Sequence, residues 1–180
     1  VHFNCAEYAN NPDLLMGHLF GHVKGAFTGA DRDRPGIVEQ ADGGFLFLDE
    51  IHRLPPEGQE MLFTLLDEGH YQRLGDSERR NKASIRLIGA TTEGPDRALL
   101  KTFLRRIPLT ISIPPLEERS RAERVELVRL FFKAESRRIK LRIRVSFRVM
   151  RSLLTYSPAG NVGQLKSDIQ IACARAFLRY

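Results

Sequence analysis

The chain holds no apolar run near the ~20 residues that a membrane-spanning helix requires, and no signal-peptide pattern opens it. A water-facing, cytoplasmic protein is therefore expected. It has two cysteines, Cys5 and Cys173, far apart and among small or apolar neighbours. That excludes a disulfide framework and predicts two buried free thiols in a reducing compartment. No G-x-x-x-x-G-K-[ST] occurs, so these residues carry no phosphate-cradling P-loop of their own. The net charge of +6 arises largely in the second half, where Arg137, Arg138, Lys140, Arg142, Arg144, Arg148 and Arg151 crowd together. That run lacks interleaved aromatics and any helix-turn-helix pattern, so a solvated helical face explains it better than a nucleic-acid footprint. What is present is enough for a core: 180 residues with 42% hydrophobic content fit one domain, or one with a small satellite.

Two stretches carry chemistry. In the first, Gly43-Gly44 precedes Phe45-Leu46-Phe47-Leu48, and Asp49-Glu50-Ile51 follows. A short apolar run after a glycine break predicts a strand buried on both faces, as in a parallel sheet. Ligands bind at the C-terminal ends of such strands. Two carboxylates there need a cation or a water-filled site. The pattern is that of a Walker B strand, in which Asp49 would help hold Mg²⁺ on a nucleotide and Glu50 would polarise the attacking water. The competing explanation is a core strand capped by two solvated acids.

The second stretch is Gly25-Ala26-Phe27-Thr28-Gly29-Ala30. Two glycines frame a small uncharged tip with one aromatic and one hydroxyl. An exposed Phe27 at such an apex points to a docking contact. The string matches the signature loop of bacterial enhancer-binding proteins, the AAA+ ATPases that activate sigma-54 RNA polymerase. Glu39-Gln40-Ala41-Asp42-Gly43-Gly44 and Phe47-Leu48-Asp49-Glu50-Ile51 are similar to the same family in the same order. The resemblance runs from Asn4 to about Ala174.

The remaining elements read as alternating strands and helices, then helices alone. Residues 1–5 form a strand and Pro12 to Phe20 a helix stopped by Gly21; residues 44–49 form the Walker B strand. A helix starts at Pro55-Pro56-Glu57 and runs to Gly69. Residues 71–75 enter a hairpin, 84–91 are a strand, 96–104 a helix and 107–113 a strand. Helices are expected at 120–138, 146–155 and 161–178. The fold class is thus α/β: an AAA+-type parallel sheet with helices on both faces over residues 1–115, lacking its P-loop segment, then an α-helical lid over 116–180.

The resemblance implies roles for single residues. Asn4, at the end of the first strand, would contact and switch Glu50. Thr91 and Thr92 end the strand neighbouring Walker B and would sense the γ-phosphate, with Thr92 in place of the family's usual Asn. Counting back from Pro114-Pro115, Arg105 falls on one of two trans-acting arginines; Leu99 stands where the other belongs, and Arg106 is the residue that would compensate. Residues Ser157 to Lys166 resemble the lid motif, but Gly163 stands where the family carries a second sensor Arg, and Lys166 is its candidate replacement. This departure resembles a subgroup controlling sugar-phosphotransferase operons. The family's P-loop lies just upstream of where this chain starts, on a strand in the middle of the sheet, so the chain reads as a piece of a longer protein.

Two functions follow. One is an ATP- and Mg²⁺-dependent remodeller of sigma-54 RNA polymerase; for it the resemblance implies a homo-oligomeric ring in the full-length protein, with DNA bound through another domain and no membrane. The other is a non-hydrolysing relative that docks a partner through the same loop. Clamp loaders and protease unfoldases, which share the AAA+ fold, do not carry the Gly25–Ala30 string.

Overall fold

The computed structural model describes residues 1–178. They form two compact units, the first spanning residues 1–110 and the second beginning at Ile111.

In the first unit, β1 (His2–Asn4) leads through a 3₁₀ turn (Cys5–Tyr8) to α1 (Pro12–Phe20). Asn11 caps α1 by accepting from the Leu14 N–H at 3.1 Å, and Pro12 opens it where no N–H is needed. A small ribbon of β2 (Gly21–His22) and β3 (Arg34–Pro35) follows, then α2 (Ile37–Gln40). Next come β4 (Phe45–Asp49), a 3₁₀ turn (Ile51–Arg53) and α3 (Pro56–Glu68), which Gly69 ends at φ 70°. A two-residue hairpin ladder joins β5 (His70–Tyr71) to β6 (Asn81–Lys82). The unit closes with β7 (Arg86–Gly89), α4 (Pro95–Ala98) and α5 (Lys101–Leu104).

The main sheet is parallel, in the order β1-β4-β7. Asn4 stands opposite Asp49, and Leu48 opposite Gly89, so the three C-terminal ends share one edge. Leu15, Leu19 and Phe20 of α1, Leu46 and Leu48 of β4, Leu62 of α3 and Phe103 of α5 are fully buried together. Each contributes roughly 1.5–3 kcal/mol relative to an exposed side chain.

Several expectations need correction. β4 is not buried on both faces: Leu46 and Leu48 are inaccessible, whereas Phe45 is 52% exposed and lies under the Arg86 guanidinium. The helix expected over 96–104 is two short helices, because Leu99 and Leu100 are extended and the Leu100 N–H donates to Gln59 Oε1 at 2.8 Å. Residues 71–75 are not a continuous strand; Tyr71 pairs with Asn81, and Leu74 bridges to His22. Residues 107–113 form no strand, and Leu109, Ile111 and Ile113 are 71–77% exposed. A strand needs a neighbour for its N–H and C=O groups, and among the described residues β7 is paired only with β4.

The second unit is helical: a 3₁₀ turn (Leu116–Glu118), α6 (Arg121–Ile139), α7 (Phe147–Thr155) and α8 (Asn161–Phe177). A reciprocal capping box of Ser120 and Glu123 starts α6. Asn161 Oδ1 accepts from the Leu116 N–H at 2.7 Å and pins the 3₁₀ turn to the start of α8. Leu116, Val128, Leu165, Ile169 and Cys173 form the core. Glu135 of α6 is buried, accepting from Gln170 of α8 at 3.0 Å and from Arg138 at 2.9 Å. The Gln170 hydrogen bond, with Arg138 beside it, holds its carboxyl below the usual range. Among the described residues no helix is long and apolar enough to cross a membrane.

Candidate functional site

The sheet edge gathers Asn4, Asp49, Glu50, Thr91 and Thr92, each just at or beyond the end of a parallel strand. Glu50 leaves β4 in the left-handed region, at φ 50° and ψ 46°. That conformation is uncommon for a residue with a Cβ. Its N–H donates to Asp49 Oδ1 at 3.0 Å, and the Ile51 N–H donates to Ala90 O at 2.9 Å, tying the turn to the end of the β7 strand. The Thr92 hydroxyl donates to Glu50 Oε2 at 2.9 Å. Thr92 thus reaches the carboxylate despite being shorter than Asn. Asn4 is turned elsewhere: its Oδ1 accepts from the Ala6 N–H at 2.9 Å and caps the 3₁₀ turn. The Asn4–Glu50 contact implied by the resemblance is not among the hydrogen bonds of this state.

His52 was missed in the sequence. Its imidazole, with the side chain only 5% exposed, lies 3.0 Å by Nδ1 from Thr91 Oγ1 and 3.2 Å from Glu50 Oε2; Nε2 is 3.5 Å from Glu93 Oε1. Apart from Glu50, its partners Thr91 and Glu93 come from some forty positions away, and nothing local to Ile51-His52-Arg53 signals them. Beneath the carboxylates lies Cys5, fully buried, whose thiol is pushed up to about 12 by burial and then by the Asp49 charge.

The two arginines differ. Arg106 grips Asp67 of α3 with Nε–Oδ1 at 2.6 Å and Nη2–Oδ2 at 2.8 Å, and lies over the Phe63 ring. It is engaged within its own chain, which argues against the compensating role. Arg105 is exposed, with no ion pair among the described residues. Lys166 stands exposed on α8 in the second unit, where its charge is felt by Glu135. At Gly163 an added Cβ meets open space, so packing does not account for the missing side chain.

The Gly25–Ala30 loop is closed at its base by Gly25 N–H donating to Ala30 O at 2.8 Å. Gly25 and Gly29 adopt φ 83° and 99°, which only glycine takes readily. Thr28 is exposed, as expected. Phe27 is not: it is half-buried, edge-on to His22 with ring centroids 4.9 Å apart. It also leans on α1 at Gly17, where an added Cβ would come within 2.9 Å of Phe27 Cε1.

Residues 1–111 match the family described as the Sigma-54 interaction domain. The chain belongs to that family. It is 58% identical over 178 residues to the transcriptional regulatory protein LevR of Bacillus subtilis (strain 168), covering 99% of this chain and 19% of that protein. It is 53% identical over 177 residues to DagR of Salmonella typhimurium, covering 98% and 19%. The nitric oxide reductase transcription regulator NorR2 of Cupriavidus necator is 40% identical over 188 residues, covering 99% and 35%. The chain thus spans about a fifth to a third of the length of these relatives. In structure it is similar to NtrX from Brucella abortus in complex with ADP, with a TM-score of 0.79 and 25% identity over 94% of this chain and 37% of that one. The fold is accordingly the AAA+ parallel sheet followed by a helical part.

Proposed function

We propose that this sigma-54 interaction domain hydrolyses ATP within a longer protein and uses the energy to remodel sigma-54 RNA polymerase. The observation that carries the reading is Glu50. It is a carboxylate at the C-terminal edge of a parallel sheet, held in a strained backbone conformation, with one oxygen fixed by the hydroxyl of Thr92. A general base for water needs that fixed geometry. Asp49, at the end of β4, would help hold Mg²⁺. That ion is commonly bound by one or two carboxylates together with phosphates and waters. When bound, the ion would neutralise phosphate charge. Thr91 and Thr92 would report the state of the γ-phosphate, Arg105 would act in trans across a ring, and Lys166 would be a nucleotide-binding residue in place of the missing lid arginine. Asn4 would meet Glu50 only in another state. The phosphate-binding strand would come from upstream and pair with the open side of β7. DNA would be held by another domain of the longer protein, and the setting would be the cytoplasm.

The Gly25–Ala30 loop would contact sigma-54, Thr28 supplying a hydrogen bond and Phe27 an apolar anchor. The 58% and 53% identities to LevR and DagR, together with Gly163, support membership of the subgroup controlling sugar-phosphotransferase operons.

The test pairs two variants of the full-length protein. Glu50→Gln is expected to lower steady-state hydrolysis by about 10²–10⁴-fold while ATP binding persists. Thr28→Ala is expected to keep hydrolysis within a few-fold and to lose co-migration with sigma-54 in a transition-state nucleotide complex. Parental hydrolysis by Glu50→Gln would refute the base assignment. A parent that binds sigma-54 but never hydrolyses ATP would favour the non-hydrolysing binding module.

A further inference from the structure

The proton on His52 can be placed from its neighbours. Thr91 has one hydroxyl hydrogen, and Thr91 Oγ1 donates to Glu93 O at 3.2 Å while accepting from the Glu93 N–H at 3.1 Å. Glu50 Oε2 already accepts from Thr92 at 2.9 Å. Both atoms facing His52 Nδ1 are therefore acceptors, at 3.0 and 3.2 Å. A bare Nδ1 would set its lone pair against a carboxylate oxygen, so Nδ1 carries a hydrogen, whether or not Nε2, 3.5 Å from Glu93 Oε1, carries one too. The ring has little freedom to turn away, because its side chain is only 5% exposed.

We propose that His52 is a positioning residue for Glu50. Its Nδ1–H is directed at Thr91 Oγ1 at 3.0 Å and stands 3.2 Å from Glu50 Oε2, so its electropositive edge ties the carboxylate of the β4 turn to the end of the β7 strand. With Thr92 on the same oxygen, Oε2 is held from two sides. Oε1 is left as the oxygen without a hydrogen bond among the described residues, and it is the one that would take the proton of the attacking water. The clamp also makes the Glu50 orientation depend on the Thr91–Glu93 segment, so a shift of that segment on loss of the γ-phosphate would be felt at the base. This rests on the reading of Glu50 as general base.

The experiment compares His52→Ala and His52→Asn in the full-length protein, with Glu50→Gln beside them. Asparagine places an amide N–H near the position of Nδ1, whereas alanine leaves nothing. His52→Ala is expected to lower kcat by about 10- to 100-fold, the cost of a misplaced catalytic group, with KM for ATP within about threefold. His52→Asn is expected to recover most of that loss. Unchanged kcat in His52→Ala, or equal losses in both variants, overturns the proposal; the second result would mean that the ring only fills space. A readout independent of activity is the imidazole ¹⁵N spectrum of the parent, with His52 assigned from the His52→Asn variant. Protonated Nδ1 whose signal moves in Glu50→Gln supports the clamp. Protonation at Nε2 alone, or no response to Glu50→Gln, overturns it. If the parent lacks hydrolysis, the reading of Glu50 as base fails, and the spectrum still decides whether the clamp exists.

Discussion

Glu50 and Cys5 show how one turn of chain serves two ends. Glu50 sits at φ 50° with its backbone N–H on Asp49. A non-glycine residue in that region costs of order 1–3 kcal/mol, a strain the surrounding contacts must offset. Cys5 lies fully buried under the same carboxylates, and both burial and the Asp49 charge disfavour its thiolate. Its folded pKa of about 12 stands above the ordinary 9.0. The thiol therefore stabilises the fold while it stays protonated. As pH rises through 9 the unfolded chain begins to lose the proton and the folded chain does not, so stability falls between about 9 and 12. Denaturant midpoints measured across that range should fall more steeply for the parent than for Cys5→Ala. Equal slopes would mean that Cys5 contributes nothing to the alkaline loss. The free, buried state of Cys5 was legible from its small and apolar neighbours; the tie of His52 to Thr91 and Glu93 was not, because only strand pairing brings those residues to it.

Elements with local start and stop signals were legible in the sequence. α1 and α3 begin at proline and end at glycine, and the three helices of the second unit fall where the charged amphipathic pattern placed them. The loop between β2 and β3 was legible as a turn but not in its packing. Phe27 is drawn down onto Gly17, a residue ten positions earlier that lacks the Cβ to keep the ring away. Gly17→Ala would put a methyl 2.9 Å from Phe27 Cε1, a contact that real Cβ atoms do not sustain. The ring is the side that yields. We expect faster amide hydrogen exchange over residues 25–30 in this variant, with α1 still protected; unchanged exchange would show that Phe27 does not hold the loop. The end of α5 gives a second contrast. Arg106 is tied to Asp67, whereas Arg105 is exposed. In the assembled protein, Arg105→Ala should lower ATP turnover by about 10³-fold or more, as loss of a trans arginine does, and Arg106→Ala should leave turnover within a few-fold. Phosphate release by the two variants decides it, and the reverse order would exchange their roles.

At the scale of the whole molecule, the sheet has an edge that its own residues do not cover. β7 pairs with β4 through Arg86 N–H to Gly44 O and Ala90 N–H to Leu48 O. Strand N–H groups alternate in direction, so those of Leu87 and Gly89 face the open side. Residues 107–113 have an apolar alternation in Leu109, Ile111 and Ile113 and no ladder. The sequence pattern there was read as a strand, and the pattern is genuine; pairing is non-local, and no local signal reveals whether a partner is present. An open strand edge invites association with other chains. Under the proposed function, a parallel phosphate-binding strand of a longer protein would pair with the open side of β7. Hydrogen exchange separates the cases. In the 180-residue chain, Leu87 and Gly89 amides should exchange quickly while Ile88 is protected, and residues 107–113 should be unprotected. In the longer protein, Leu87 and Gly89 should gain protection together, and Mg-ATP affinity should rise with it. Calorimetry on the 180-residue chain should show weak binding at most. Micromolar binding by that chain, or protection at Leu87 and Gly89 without the upstream segment, would show that the open edge is not the seat of the phosphate-binding strand.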